Sequence, residues 1–212
     1  MHKLHRGLAP NCLSEFQHDR HNWGDVTPAH KATIWIELDA MQGQRCAYCE
    51  AVIRNGNRHI EHFRQKGRDP KATFLWSNLF GSCNREDCCG SHKDRCAVYP
   101  PADLIKADVD DPEHYLAFAP NGAVSPRSAM SPRDHHRATE TIRIFNLNGV
   151  LRQIRFREVA GYVQTAEEFA EMANEFAESE WMPLLQEELA ATAHLPFATA
   201  IKHVLTRQSS YP

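Results

Sequence analysis

Four cysteines in two separated pairs could form a metal-binding site. Cys46 and Cys49 form a C-x-x-C motif, and Cys83 could form the second pair with Cys88 or Cys89. Four thiolates bind zinc tetrahedrally, and such closed sites hold structural zinc. A redox C-x-x-C motif would need a helix N-terminus within a βαβ unit, and no such pattern surrounds Cys46. The spacing therefore predicts structural zinc and leaves the choice between Cys88 and Cys89 open.

The residues between the two cysteine pairs could hydrolyse a phosphodiester bond. Glu61 and His62 are adjacent, Asn78 follows them, and His92 precedes Lys93. A neutral histidine can take a proton from water, and a carboxylate can hold a divalent cation that binds the phosphate. Asn78 stands in an apolar run, where its amide needs hydrogen-bond partners and could brace a loop. The pattern predicts a hydrolytic metal site beside the zinc site.

These motifs together resemble a known family of nucleases. The segments C-A-Y-C-E, I-E-H-F-R-x-K, W-S-N-L-F-x-S-C and C-G-x-x-K resemble HNH endonucleases, specifically the PtuB-like proteins of Septu and retron-associated anti-phage systems. The resemblance implies a ββα-metal nuclease in which His62 is the general base and Glu61 is a ligand of a catalytic Mg²⁺ or Mn²⁺. It further implies that Asn78 braces the histidine-bearing loop and that His92, on a helix, is a second metal ligand.

The same resemblance implies a zinc-ligand set and partners. In the C-G-x-x-K pattern the cysteine precedes a glycine, which selects Cys89 to bind Zn²⁺ with Cys46, Cys49 and Cys83. The family also implies an ATPase partner with an ABC-type head and, in retron systems, a reverse transcriptase with its RNA and DNA. The expected activity is endonucleolytic cleavage in anti-phage defence, with DNA as the substrate and RNA, such as tRNA, as the alternative.

Three features depart from the family pattern, one of which is Cys88 beside Cys89, which leaves the fourth zinc ligand ambiguous. Gly90 directly follows Cys89, where many HNH proteins have a histidine or an asparagine, and His92 stands two positions later. Gln65 stands in the loop after His62 where the pattern has a proline. The identity of the helix-borne ligand and the geometry of the loop therefore depend on the folded structure.

Charge is distributed unevenly along the chain. The formal net charge is −3, but residues 41–100 carry ten Lys or Arg and six Asp or Glu, whereas residues 166–190 carry eight acids and no Lys or Arg. A polyanion would lie on the basic part, so the candidate nucleic-acid-binding residues are Arg64, Lys66, Arg68 and Lys93. A nuclease that acted alone would more usually have a broad basic face, which predicts dependence on a partner.

A zinc-knuckle module that binds nucleic acid or protein without hydrolysis is the alternative function. It explains the cysteines and the basic loop at 64–72, but it gives Glu61, His62 and Asn78 no role. It predicts binding that does not depend on Mg²⁺ or Mn²⁺, and no cleavage products.

Composition indicates a globular protein without a membrane segment. Hydrophobic residues make up 42% and charged residues 24% of the chain, which is ordinary for globular proteins. No apolar run approaches the roughly 20 residues that a membrane span needs, and no apolar run follows the basic start. We therefore expect a cytoplasmic protein, in which the seven cysteines would favour metal binding over disulfides.

The fold class expected is α+β and mainly helical, with a zinc-stabilised ββα-metal core and a helical C-terminal part. The predicted divisions are a lead-in with a helix at 1–45, the nuclease module at 46–100, and a loop-rich linker with a helical region at 101–212. Within them, apolar spacing predicts one helix over 29–42 and another over 134–147.

A predicted hairpin carries the candidate catalytic pair. The Asn-Gly pair at 55–56 lies between the apolar residues at 52–53 and a second apolar run, which is typical of a tight β-turn. Strand alternation then places His59 and Glu61 on one face and His62 on the other.

Overall fold

A computed structural model describes residues 1–206 and shows an α+β fold in which helices take up about half of the chain. The described helices are α1 (Pro28–Gln42), α2 (Cys89–Arg95), α3 (Pro132–Ile144), α4 (Val150–Val159), α5 (Val163–Glu175), α6 (Glu178–Thr192) and α7 (Ala198–Leu205). The described strands are β1 (Arg58–His62), β2 (Leu79–Cys83), β3 (Leu116–Phe118) and β4 (Val124–Pro126). The α+β class is thereby confirmed. Residues 207–212 of the predicted C-terminal region lie outside the described part.

The sheet that carries the candidate site pairs two strands that are distant in sequence. Strands β1 and β2 are antiparallel, with Glu61 opposite Phe80 and His62 opposite Leu79. The predicted hairpin partner was wrong, because Val52 forms only an isolated bridge with Arg45. The Asn-Gly pair makes a turn that enters β1, and the chain pairs β1 with β2 instead.

Helix α1, which the sequence predicts over 29–42, begins and ends at residues with clear capping roles. The hydroxyl of Thr27 accepts a hydrogen bond from the backbone of His30, and Gly43 ends the helix in the left-handed region at φ 59°. Gln42 then exchanges two side-chain hydrogen bonds with the backbone of Gly81, at 2.7 and 3.0 Å. The helix is thus fixed against β2.

The two faces of the β1–β2 sheet pack against different apolar clusters. Leu79 belongs to a smaller cluster with residues of α1, and Ile60 packs against it. Phe63 and Phe80 belong to a larger cluster that continues into α3, α4 and α7. Burial on both faces fixes the strand register, because a slip of one residue would exchange the faces.

Helix α7 contacts the knuckle, which is the segment at 46–50 that contains Cys46 and Cys49. Strands β3 and β4 form a hairpin that turns at Asn121-Gly122. Helix α7 packs on β3 and on α4 to α6, and its start is tied to Glu50: Thr199 N donates to Glu50 Oε2 at 3.0 Å, and Phe197 N donates to Glu50 O at 3.2 Å. None of the helices within residues 1–206 is both long and apolar enough to cross a membrane.

Candidate zinc centre and active site

Four buried thiols cluster where the knuckle, the end of β2 and the start of α2 meet. The Sγ atoms of Cys46, Cys49, Cys83 and Cys89 all lie within 4.8 Å of one another. A tetrahedral site with Zn–S bonds of about 2.3 Å needs sulfurs roughly 3.8 Å apart. The number, chemistry and spacing of the donors therefore fit a metal such as zinc. Cys88 is also buried but is not part of this group.

Backbone bonds and strained residues hold the thiols together. Glu50 N donates to Cys46 O at 2.9 Å, and Cys89 N donates to the carbonyl of Phe145 at 2.9 Å. Glu50 and Cys89 both adopt positive φ, at 66° and 55°, which a non-glycine residue keeps only where its surroundings enforce it. Hydrogen bonds from the neighbouring thiols, first that of Cys46, lower the pKa of Cys83. A hydrogen bond with Cys46 raises the pKa of Cys49, and burial raises that of Cys89. The cluster therefore favours a thiolate, the form that binds metal, at Cys83.

Glu61 lies on the face of β1 that meets helix α2. Its side chain is 3% exposed, and Oε1 lies 2.6 Å from the buried ammonium of Lys93. Lys93 also donates to the carbonyl of His62 at 2.9 Å and pairs with Asp94 at 2.8 Å. Helix and strand come this close because residue 90 is glycine: a Cβ there would lie 2.6 Å from Glu61 Cδ. Lys93, a predicted nucleic-acid contact, thus points inward.

The other carboxylate oxygen of Glu61 meets a histidine that the sequence motifs did not single out. His59 Nε2 lies 3.1 Å from Glu61 Oε2, and His59 Nδ1 lies 2.9 Å from Asn84 Oδ1. Burial lowers the pKa of His59, but hydrogen bonds to Glu61 and Asn84 outweigh burial and raise it overall. Strand alternation already placed His59 on the Glu61 face, and that pattern could have identified it.

His62 occupies the opposite face of β1 as a neutral imidazole. Its Nε2 lies 3.1 Å from the carbonyl of Thr73, and since a carbonyl can only accept, Nε2 carries the proton and Nδ1 keeps its lone pair. The imidazole of His62 and the ring of Trp23 pack edge to face, with their centroids 4.4 Å apart. Burial, followed by the charge of Lys66, lowers the pKa of His62 to about 4.

The side chain of Asn78 joins both ends of the loop that follows His62. Its Oδ1 accepts from Arg64 N at 2.7 Å, and its Nδ2 donates to the carbonyls of Arg64 and Ala72, both at 3.0 Å. The residue is only 1% exposed. These three hydrogen bonds are the ones that a residue bracing the loop must make. They fix Ala72 and thereby the neighbouring Thr73, whose carbonyl contacts His62.

His92 faces away from Glu61, toward helix α3. Its Nδ1 lies 2.9 Å from the carbonyl of Ile144 and 3.6 Å from Cys96 Sγ. Among the described contacts, none joins His92 to Glu61. The structure therefore brings Glu61 together with His59 and Lys93 and leaves His92 on another side of α2.

The basic loop borders an open pocket beside this site. Arg64 pairs with Asp69 at 2.8 Å, and Arg68 donates to the carbonyl of Cys96 at 2.8 Å. Both arginines line a pocket of about 340 Å³ with Tyr99. Lys66 is exposed. These side chains form a positive surface next to the loop that Asn78 braces.

Comparison with known proteins identifies two relatives, one named for the Septu system and one for a retron. No family model matches the chain. The chain is 27% identical over 150 residues to "Septu protein PtuB" of Bacillus thuringiensis, covering 69% of this chain and 54% of that protein. It is 26% identical over 125 residues to "Retron Vc95 putative HNH endonuclease" of Vibrio cholerae serotype O1 biovar El Tor, covering 56% and 58%. The chain thus spans little more than half the length of these curated relatives. They confirm the resemblance that the motifs indicate: this chain is similar to the PtuB-like HNH endonucleases of Septu and retron systems.

Proposed function

We propose that this protein is a metal-dependent HNH endonuclease that cleaves nucleic-acid phosphodiester bonds in anti-phage defence, with DNA as its expected substrate. The observation that carries the proposal is the pair on β1, where a buried carboxylate and a neutral imidazole occupy opposite faces of one strand beside a four-thiol cluster. The name of the Vibrio cholerae relative supports the same chemistry.

His62 is proposed as the general base. The Thr73 carbonyl holds the proton on Nε2, so that Nδ1 can accept a proton from an attacking water. Because its pKa is lowered to about 4, the imidazole of His62 is neutral at physiological pH. A divalent cation bound at Glu61 would supply positive charge to the phosphate and the leaving oxygen. Asn78 would fix the loop, and hence the orientation of the imidazole.

The four-thiol cluster is proposed to hold structural zinc. It joins the knuckle, the end of β2 and the first residue of α2, and these elements surround Glu61. Closed four-thiolate sites stabilise small modules whose cores are too limited to order them alone. Zinc would therefore act on the arrangement of the active site and take no part in the reaction.

The direct test replaces the base. We expect His62→Ala to abolish cleavage while the zinc content and the thermal midpoint stay close to those of the unsubstituted protein. Cleavage of labelled duplex DNA, single-stranded DNA and tRNA should be followed with EDTA, Mg²⁺ and Mn²⁺. Cleavage by the His62→Ala protein at the original rate would refute the assignment. Metal-independent binding without products from the unsubstituted protein would favour the zinc-knuckle alternative.

The acidic helices are proposed to bind the ATPase partner. Helices α5 and α6, with the end of α7, enclose an open groove of about 530 Å³ lined by Phe169, Trp181 and Leu185, among others. Phe176 beside it is 52% exposed. Because residues 166–190 carry eight acids and no Lys or Arg, the groove suits an apolar partner segment flanked by basic residues.

A charge reversal tests the partner surface. Glu175 is exposed at the end of α5, so Glu175→Lys should weaken binding to the ATPase and make the remaining affinity less sensitive to salt, without changing zinc content. Asp19→Lys makes the same charge change at another exposed position and serves as the control. Equal ATPase affinities of the two variants, measured by calorimetry, would place the partner elsewhere.

A further inference from the structure

We propose that His59, and not His92 of helix α2, is the second protein ligand of the divalent cation that Glu61 would bind. This inference deepens the proposed nuclease function and rests on it. It assigns the ligand pair to two residues of one strand, in contrast to the strand-and-helix pair that the family resemblance implies.

Neither Gly90, His92 nor Lys93 of helix α2 can supply a metal ligand beside Glu61. The residue closest to the carboxylate is Gly90, and a Cβ at that position would lie 2.6 Å from Glu61 Cδ, which is far inside van der Waals contact. No side chain can therefore start from position 90 without displacing Glu61. One turn later Lys93 sets its ammonium 2.6 Å from Glu61 Oε1, and an ammonium has no lone pair to give a metal. His92 faces Ile144.

His59 is already placed at the distance that two ligands of one cation require. Its Nε2 lies 3.1 Å from Glu61 Oε2. In an octahedral site with bonds of about 2.1 Å, neighbouring ligand atoms lie roughly 3.0 Å apart. A cation could therefore bind both atoms with little movement of either side chain. Oε2 is also the carboxylate oxygen that Lys93 does not engage.

The hydrogen bonds of the His59 ring favour a cation between the two residues. Asn84 Oδ1 lies 2.9 Å from His59 Nδ1, and since an amide oxygen accepts, Nδ1 carries the proton. The Nε2 atom then faces a carboxylate oxygen, so the two atoms share a proton when no metal is bound, and a cation could take the place of that proton. Metal-binding histidines are typically oriented by such a bond from the other ring nitrogen.

The pair is open to solvent and substrate on one side. The His59 side chain is 32% exposed, whereas that of Glu61 is 3% exposed. Water and a phosphate oxygen could therefore complete the coordination from the His59 side, as Mg²⁺ requires when the protein supplies only two ligands.

Metal binding without turnover tests this assignment. Mn²⁺ should be titrated into the full-length, zinc-loaded protein and free Mn²⁺ followed by electron paramagnetic resonance. We expect His59→Gln to raise the Mn²⁺ dissociation constant by at least about tenfold, since loss of even an outer contact has effects of this size. His59→Asp should restore binding to within a few-fold, because a carboxylate is a hard oxygen ligand. His92→Gln and the surface variant His114→Gln should bind as the unsubstituted protein does.

The outcomes separate this inference from the nuclease proposal. If Glu61→Gln abolishes Mn²⁺ binding but His59→Gln does not, His59 is no ligand and the nuclease proposal stands. A loss confined to His92→Gln would return the second ligand to α2. If the unsubstituted protein binds no Mn²⁺ with or without a non-cleavable oligonucleotide, both proposals fail. Zinc content and thermal midpoint verify folding, and His59→Asn, with the same expected loss, replaces His59→Gln if that variant does not fold.

Discussion

The adjacent cysteines Cys88 and Cys89 provide a matched test of the zinc centre. Both are buried, and they are neighbours in sequence. Only Cys89 belongs to the group whose sulfurs lie within 4.8 Å of one another. Cys89→Ser removes one of four donors, whereas Cys88→Ser makes the same chemical change outside the donor set. We expect the first variant to lose zinc and the second to keep it.

The size of the effect follows from the donor count. Structural zinc contributes on the order of 10–16 kcal/mol to the folding of small four-ligand sites. If the four thiolates share this equally, each contributes about 3 kcal/mol, or about a 100-fold change in zinc affinity. Cys88→Ser loses only a buried thiol contact, for which about 1 kcal/mol is typical.

Zinc stoichiometry and chelator competition provide the measurement. Purified Cys88→Ser should contain one zinc per chain and resist a colorimetric chelator as the unsubstituted protein does. Cys89→Ser should release zinc at a chelator concentration about 100-fold lower, and its thermal midpoint should fall. Zinc loss from Cys88→Ser alone would show that the wrong cysteine was assigned. Full zinc in both variants would show that these thiols are not the zinc site.

Two further predictions concern packing at Glu61 and the pH dependence of stability. Gly90→Ala places a Cβ 2.6 Å from Glu61 Cδ and should lower the free energy of unfolding by about 1–3 kcal/mol through overpacking. Gly161→Ala is the control, because a Cβ there meets nothing within 4 Å. Equal thermal midpoints of the two variants would contradict the close approach of α2 to Glu61. The second prediction concerns Glu113, whose pKa is lowered to about 2 by a hydrogen bond with His203. Ionised Glu113 therefore stabilises the folded state fully above the unfolded pKa of 4.5, and this stabilisation is lost as pH falls through about 2. Glu113→Gln should therefore lower the free energy of unfolding at pH 7 by about 1–2 kcal/mol after allowance for screening, and urea titrations should show this difference shrinking, not growing, between pH 5 and pH 2.

Local sequence rules were sufficient for the elements that depend on neighbouring residues. The helix predicted over 29–42 forms as α1, with Thr27 and Gly43 capping its ends, and the Asn-Gly pair at 55–56 forms the predicted turn. Such capping and turn preferences act over a few residues. They do not report which distant segments meet, and there the predictions were incomplete.

The pairing of β1 is the main feature that local rules missed. The Asn-Gly turn at 55–56 was recognised, but its strand pairs with β2 at 79–83 and not with 52–53. The knuckle explains this choice, because Ala47 N donates to Gly81 O at 3.0 Å and sets β2 beside it. Long-range hydrogen bonds of this kind decide register and cannot be read from alternation alone.

The site residues show the same division between local pattern and long-range contact. Alternation placed His59 with Glu61, but only the fold shows that Asn84 orients the ring of His59. The neutral state of His62 depends on burial and on the carbonyl of Thr73, which lies eleven residues further along the chain. Motif spacing therefore identified candidate chemistry, and the fold supplied the protonation state and the partners.

The position of the first residue of α2 determines which side chains of this helix face Glu61, because the faces of a helix follow its periodicity. Gly90 and Lys93 are three residues apart and share the face toward β1, whereas His92 and Cys96 are four apart and share the face toward α3. A rotation of the helix by one residue would exchange these faces. Cys89 begins the helix and belongs to the thiol cluster, so metal at the thiols would fix this rotation and with it the Lys93 ammonium on Glu61. If the thiols hold zinc as proposed, its loss should therefore disturb the charge at Glu61, and the proposed zinc site would determine the geometry of the candidate active site as well as stability.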